Sequence, residues 1–307
     1  MRGKIIRSTG SWYDVVAEDG TVLKGRLRGK FRQGGGGTTN PITVGDNVSY
    51  EYDSETDDIV LINGIEPRQN YIIRKSVHRT GQGHLIASNI DIAVLVASLF
   101  MPRTSTGFID RFLVSAESFR IPALVVFNKY DLLSEGHKEV LTELEDIYHG
   151  AGYETLAVSA TENIGIEALR EKIQGKTALF SGHSGVGKSS LLNTMSPGLT
   201  QKTGEVSTFA NKGKHTTTFA EMFSLDIDTF IIDTPGIKEF GMQDVSPEVL
   251  GHYFPEMRAL LNKCRYHNCL HDNEPACAVK DAVEQGSISE TRYSSYISML
   301  HGEDNRR

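Results

Sequence analysis

No apolar run in this chain is long enough to cross a bilayer. The longest, residues 92–101, is about half of the ~20 residues a membrane-spanning helix needs. Residues 1–12 place no apolar stretch behind their basic side chains, so a secretory leader is not expected. Cysteine is almost missing as well: three occur in 307 residues, all between Cys264 and Cys277. An odd, clustered set excludes a disulfide framework and points to metal binding in a reducing, cytoplasmic compartment. Positive charge is not in excess. A net charge of −7 excludes a uniformly basic nucleic-acid coat but leaves room for a local patch. No internal repeat is visible, and no apolar stripe suggests a dimer face, so a monomer with no membrane association is expected. What is present is ordinary soluble composition, 39% hydrophobic and 23% charged. At ~100–200 residues per domain the length allows two or three domains, with enough core to need no covalent staples.

The texture changes along the chain. Up to about residue 66, short alternating runs break at Asp19-Gly20 and Gly45-Asp46, the spacing of a small all-β barrel. The glycines at 34–37 cannot pack a side chain and are expected to form a mobile loop. From about residue 70, nearly continuous apolar runs at 92–99, 123–127 and 156–158 each precede a helical pattern, at 109–119, 137–148 and 166–173. Runs at 177–180 and 230–232 are further buried strands. Strands alternating with helices imply a parallel sheet covered on both faces. The last ~65 residues hold the cysteines and helix-like stretches such as 288–300.

Gly182-His183-Ser184-Gly185-Val186-Gly187-Lys188-Ser189, followed by Ser190, fits G-x-x-x-x-G-K-[ST] between a strand and a helix. Glycines let successive N–H groups face phosphates. Lys188 is expected on the β- and γ-phosphates and Ser189 on Mg²⁺. Asn128-Lys129-Tyr130-Asp131 follows the strand at 123–127 and selects the base. An Asp carboxylate accepts guanine's ring N–H and exocyclic amine, and adenine offers neither there. Ser159 and Ala160, after the strand at 156–158, are expected to turn backbone N–H groups toward the guanine oxygen. Asp233, at the tip of the strand at 230–232, is the expected Walker-B ligand of Mg²⁺, with the Gly236 N–H at the γ-phosphate. One threonine of His215-Thr216-Thr217-Thr218 should close over Mg²⁺. Thr217 is favoured, though spacing does not separate the three.

The order is rearranged. The guanine motif and Ser159-Ala160 precede the phosphate loop, and Asp233 comes last, as if native ends were joined at Gln174-Gly175-Lys176 and the chain opened elsewhere. This is a circularly permuted GTPase arrangement. Ile237 stands where Ras-type enzymes place a water-orienting glutamine, which predicts slow intrinsic turnover. His215 is the candidate to serve that water, against the alternative of a solvent-facing loop histidine. With little turnover, the chain would be a GTP-gated RNA clamp.

Cys264-x4-Cys269-x-His271-x5-Cys277 supplies three thiolates and an imidazole, a closed structural zinc set, with His267 a less favoured fourth ligand. Lys24, Arg26, Arg28, Lys30 and Arg32 recur at period two, which puts them on one strand face. With Trp12, Tyr13, Tyr50 and Tyr52 nearby, they suggest an RNA-tracking surface with stacking aromatics. Arg68, Arg74, Lys75 and Arg79 are expected to extend that charge.

Together these motifs resemble the ribosome-small-subunit-dependent GTPase A (RsgA) family along essentially the whole chain. The resemblance implies a multidomain α/β architecture. Residues 1–68 would form an OB-like, RNA-binding β-barrel, residues 69–241 a circularly permuted P-loop GTPase domain, and residues 242–307 an α-helical zinc-binding domain. It further implies a GTP hydrolase, using Mg²⁺ with GTP and one structural Zn²⁺, that acts in late maturation of the small ribosomal subunit. Its partners would be that subunit and its rRNA, which stimulate hydrolysis before release. It also supports His215 as the histidine of hydrolysis.

Overall fold

The computed structural model describes residues 1–28, 41–53, 56–75, 83–196, 221–233 and 245–303. Its strands are β1 (Arg2–Ser8), β2 (Tyr13–Ala17), β3 (Val22–Leu27), β4 (Asn47–Asp53), β5 (Thr56–Ile65), β6 (Tyr71–Lys75) and β7 (Gly83–Ser88). They continue as β8 (Ile92–Ala97), β9 (Ala123–Phe127), β10 (Glu154–Ala157), β11 (Thr177–Ser181), β12 (Glu221–Ser224) and β13 (Phe230–Asp233). The helices are α1 (Thr106–Ser118), α2 (Glu135–Gly150), α3 (Ile166–Ile173), α4 (Lys188–Met195), α5 (Pro247–Leu250), α6 (Pro255–Arg258), α7 (Ala278–Glu284) and α8 (Glu290–Leu300). They belong to two compact units. No helix among the described residues is long and apolar enough to cross a membrane.

One unit comprises Met1–Ile92, Glu171–Phe180 and Ser196–Gly236. In it, β1 pairs with β2, β2 with β3, β3 with β5, β5 with β4, and β4 back with β1. The result is a closed five-stranded barrel of order 1-2-3-5-4, the OB arrangement. Alternation sends Ile5, Tyr13, Val15, Val48, Tyr50 and Val60 into its core. Tyr13 and Tyr50 are therefore not stacking surfaces, contrary to expectation: at 1% and 3% exposure they fill the barrel. Trp12 and Tyr52 remain exposed.

Arg68 is also not surface charge. Its guanidinium grips the fully buried Asp46 with both carboxylate oxygens, at 2.6 and 2.7 Å. Asp46 also accepts from the Thr43 N–H and the Ser88 hydroxyl, so this charge is paired and hydrogen-bonded as burial demands. The side chains of Arg74 and Lys75, and all of Arg79 and residues 34–37, lie outside what the structure describes.

In the same unit β11 runs parallel to β13, the two buried strands that the apolar runs predicted, and β12, which no apolar run marked, pairs antiparallel with β13. Barrel strand β1 also pairs with β12, Arg7 opposite Glu221. Lys4 seals this junction. Its ammonium donates to Thr177 Oγ1 at 2.9 Å and sits over the Phe230 ring. Burial pushes its pKa down, opposed by Asp91 and Asp228.

The other unit comprises Ala93–Arg170, Ser181–Met195 and Ile237–Arg307. Strands β8, β9 and β10 are parallel neighbours; β8 and most of β9 are buried, as continuous apolar runs require, whereas β10 is only partly buried. Ser105 caps α1 by accepting the Phe108 N–H, which starts the helix three residues before the predicted position. Val114 of α1 packs with Leu250, Phe254, Met257, Val279 and Met299, giving the cysteine-bearing segment a shared core.

Candidate functional site

Asn128, at the tip of β9 and 4% exposed, ties three motifs together. Its Nδ2 donates to the Val186 carbonyl of the glycine-rich loop at 2.9 Å, and its Oδ1 accepts the Ala160 N–H at 3.3 Å. Gly187 must be glycine for this approach. Its φ is +89°, and a Cβ there would collide with the Asn128 amide. Lys129 adopts the left-handed conformation (φ +69°), and its ammonium donates to the Met101 carbonyl. The Tyr130 N–H is held by the Val158 carbonyl at 3.0 Å.

Asp131 is held by hydroxyls. Ser159 Oγ donates to its Oδ1 at 2.6 Å, and Thr161 Oγ1 reaches its Oδ2 at 3.2 Å. Ser159 thus has a different part from the one expected. Its N–H goes to the Ile164 carbonyl, and its side chain does the positioning. Thr194 Oγ1 of α4 shares its one proton between the Ser190 carbonyl of its own helix at 3.0 Å and the Ala160 carbonyl at 3.1 Å, so the helix after the glycine-rich loop touches this turn.

Gly182 leaves β11 where a Cβ would strike the Val96 carbonyl. His183 lies against Phe108 of α1, ring centroids 3.7 Å apart and planes tilted by 33°. Ser184 and Gly185 are exposed, and a Cβ at Gly185 would press on the Pro102 ring. Val186 is fully buried and anchors the loop. Lys188 and Ser189 open α4, whose N-terminal end carries the positive partial charge suited to phosphate, and Ser190 is exposed beside them. Asp233 closes β13 at 8% exposure. Hydroxyl and carboxylate oxygens of this kind are the hard donors Mg²⁺ takes. His215, Thr217, Gly236 and Ile237 lie outside the described residues, as do Lys30 and Arg32.

Sequence reasoning missed Thr161, Thr194, Phe108, Pro102 and the Met101 carbonyl. Only Thr161 carried a local signal, since it follows Ser159-Ala160 directly. The others meet the motifs solely through the fold.

The four metal-ligand atoms of Cys264, Cys269, His271 and Cys277 lie within 4.8 Å of one another, and His267 is not among them. His271 Nδ1 is 3.3 Å from Cys277 Sγ and 3.6 Å from Cys264 Sγ, and those two sulfurs are 4.0 Å apart. Tetrahedral Zn²⁺ with bonds of ~2.3 Å to sulfur and ~2.0 Å to nitrogen spaces its ligands in this range. The donor set therefore fits zinc. Burial lowers the His271 pKa and keeps the imidazole neutral, while burial pushes Cys269 up to about 12 and Cys277 upward as well. Metal binding must therefore displace thiol protons. Tyr293 and Tyr296 of α8 donate to the His271 and Leu270 carbonyls, fixing the ligand loop from behind. Chelation is expected to strip one zinc per chain and collapse protection across residues 245–303 while β9 and β10 stay protected. Hydrogen exchange checks this, and loss of protection in those strands as well would refute a modular metal site.

Of the basic period-two set, Lys24 and Arg26 lie on β3 and Arg28 follows it. Each has an acid: Asp14 at 2.5 Å, Asp53 at 2.5 Å and Glu51 at 2.7 Å. All three cations are at the surface, but only Arg28 and Glu51 form a pair exposed on both sides, where such pairs contribute little; Asp53 is 7% exposed, so Arg26 answers a buried carboxylate.

A guanine-selecting turn, a glycine-rich phosphate loop that follows it in the chain, and a parallel α/β frame define a circularly permuted P-loop GTPase. Family models agree: "RsgA N-terminal domain" matches residues 2–60 and "RsgA GTPase" residues 65–243. The chain belongs to the RsgA GTPase family. It is 52% identical over 307 residues, all of both chains, to the small ribosomal subunit biogenesis GTPase RsgA of Cytophaga hutchinsonii. It is 49% identical over 304 residues, 99% of this chain and 97% of the other, to the small ribosomal subunit biogenesis GTPase RsgA 2 of Bacteroides thetaiotaomicron. Among solved structures, YjeQ from Thermotoga maritima matches with a TM-score of 0.79 and 36% identity, covering 100% of this chain and 99% of that one. YloQ, described as a circularly permuted GTPase, matches with a TM-score of 0.78 and 28% identity, covering 100% and 96%.

Proposed function

We propose that the chain hydrolyses GTP in the service of small-ribosomal-subunit maturation. The observation that carries this reading is the Asn128 junction, which joins the base-selecting turn, the phosphate loop and the Ser159-Ala160 turn in one hydrogen-bonded unit. Family membership along the whole chain supports it, because the relatives named above are GTPases of small-subunit biogenesis. The clamp reading, with little turnover, is not favoured.

In this reading Asn128, Lys129, Tyr130 and Asp131 take the guanine end, residues 182–190 cradle the phosphates, and Lys188 neutralises the β- and γ-oxygens. Mg²⁺ bound with GTP would supply charge neutralisation, and Ser189, Thr217 and Asp233 would hold it. His215 serves the attacking water. Residues 1–68 act as the rRNA-binding barrel, 69–241 as the GTPase domain and 242–307 as the zinc-binding domain, in a cytoplasmic monomer. The exposed barrel cations turn toward phosphates, which releases counterions and makes binding salt-dependent.

The test is steady-state GTP turnover with and without purified small ribosomal subunits, at two salt concentrations. Stimulation that fades at higher salt is expected. Turnover indifferent to the subunit, with GTP-dependent binding to it intact, would return the clamp reading.

A further inference from the structure

Asp131, Ser159 and Thr161 form a group whose protons can be counted. Ser159 has one hydroxyl proton, and its 2.6 Å approach to Asp131 Oδ1 commits it there. Ser159 Oγ already accepts the Glu162 N–H at 3.1 Å. Thr161 also has one proton and two possible acceptors, Ser159 Oγ at 3.1 Å and Asp131 Oδ2 at 3.2 Å. An ionised carboxylate is the stronger acceptor, so the Thr161 proton goes to Asp131. Each carboxylate oxygen offers two lone pairs, and each has now used one. Two acceptor sites remain, one per oxygen. Guanine's Watson–Crick edge presents two adjacent donors, the ring N–H and the exocyclic amine.

On this basis, and resting on the guanine-site reading above, we propose that Thr161 is a positioning and base-specificity residue. It acts through Asp131: hydroxyls on both oxygens stop the carboxylate from rotating about its terminal torsion, which is otherwise soft. The plane that receives guanine is thereby set before the nucleotide arrives. Without Thr161 only one oxygen is pinned and the carboxylate turns about that torsion, which moves both oxygens, so neither guanine donor, the exocyclic amine included, keeps a fixed partner. The exocyclic amine then contributes less, so a nucleotide lacking it is penalised less.

Thr161→Val removes the hydroxyl while keeping the shape, and Thr161→Ser restores it. The expected result for Thr161→Val is a rise in KM for GTP of about fivefold with kcat unchanged, the value of one ordinary hydrogen bond. The preference for GTP over ITP should fall with it, and Thr161→Ser should recover both. An unchanged GTP-to-ITP ratio in Thr161→Val overturns the proposal. So does equal impairment of the valine and serine variants, which would make Thr161 a loop-packing residue. Failure of the underlying reading looks different, because the unsubstituted chain would then accept ATP as readily as GTP.

Discussion

Replacing Asp131 by asparagine is expected to exchange GTP for XTP as the preferred nucleotide. In Asp131→Asn one carboxylate oxygen becomes an NH₂ group, which meets guanine's own N–H donors head-on. A charge-assisted bond is lost and a donor–donor clash replaces it, so affinity for GTP should fall by about two to three orders of magnitude. Xanthine carries an oxygen where guanine carries the amine, and the new NH₂ can donate to it. The surroundings favour a clean exchange: Ser159 and Thr161 supply hydroxyls, which can rotate to accept from an amide as easily as they donate to a carboxylate. Competition of GTP, XTP and ATP against a fluorescent guanine nucleotide measures it. Equal loss of GTP and XTP would mean that Asp131 supports the turn rather than reads the base.

The second large effect is expected at Arg292, on α8. Its guanidinium is 1% exposed and binds Asp110 of α1 at 2.8 Å and Glu256 of α6 at 2.7 and 3.1 Å. The Phe254 ring lies beneath it, 4.6 Å away. Burial works against the charge, but Asp110 and Glu256 outweigh it and hold the guanidinium protonated. Asp110 is itself fully buried, and burial pushes its carboxyl up against the pull of Arg292. Arg292→Met leaves two carboxylates facing each other without a cation. Breaking a buried pair from one side costs ~3–5 kcal/mol, whereas replacing a whole network with apolar groups is often neutral. Arg292→Met should therefore loosen residues 245–303, and adding Asp110→Leu and Glu256→Leu should restore much of the loss. Hydrogen exchange over α1 and α8 reads both. Protection unchanged in Arg292→Met would show that the apolar core around Val114 and Phe254 holds the segment alone.

The motifs of the candidate site were legible in the sequence, and for a physical reason. Phosphate loops, base-selecting turns and zinc knots are short-range devices. Gly182 to Ser189, Asn128 to Asp131, and Cys264 to Cys277 each concentrate their chemistry in consecutive residues whose spacing is itself the requirement. The aromatic readings failed for the opposite reason. Tyr13 and Tyr50 look like Trp12 and Tyr52 in sequence, and only the folded barrel, with the register shifts along β4 and β5, separates the buried pair from the exposed one. Arg68 resembled surface charge because its partner, Asp46, lies twenty-two positions away behind a turn.

By itself the sequence carried the motifs of a permuted GTPase, a three-thiolate and one-imidazole metal-ligand set, and strands alternating with helices. Local spacing and hydrophobic period carry that information directly. Tertiary structure alone decided which charges are solvent-facing and which are buried, and how Asp131 is aimed. It also decided that Arg292 would find Asp110 across one hundred and eighty-two positions of chain. Such pairings leave no periodic trace, because they depend on which element faces come together when the core closes.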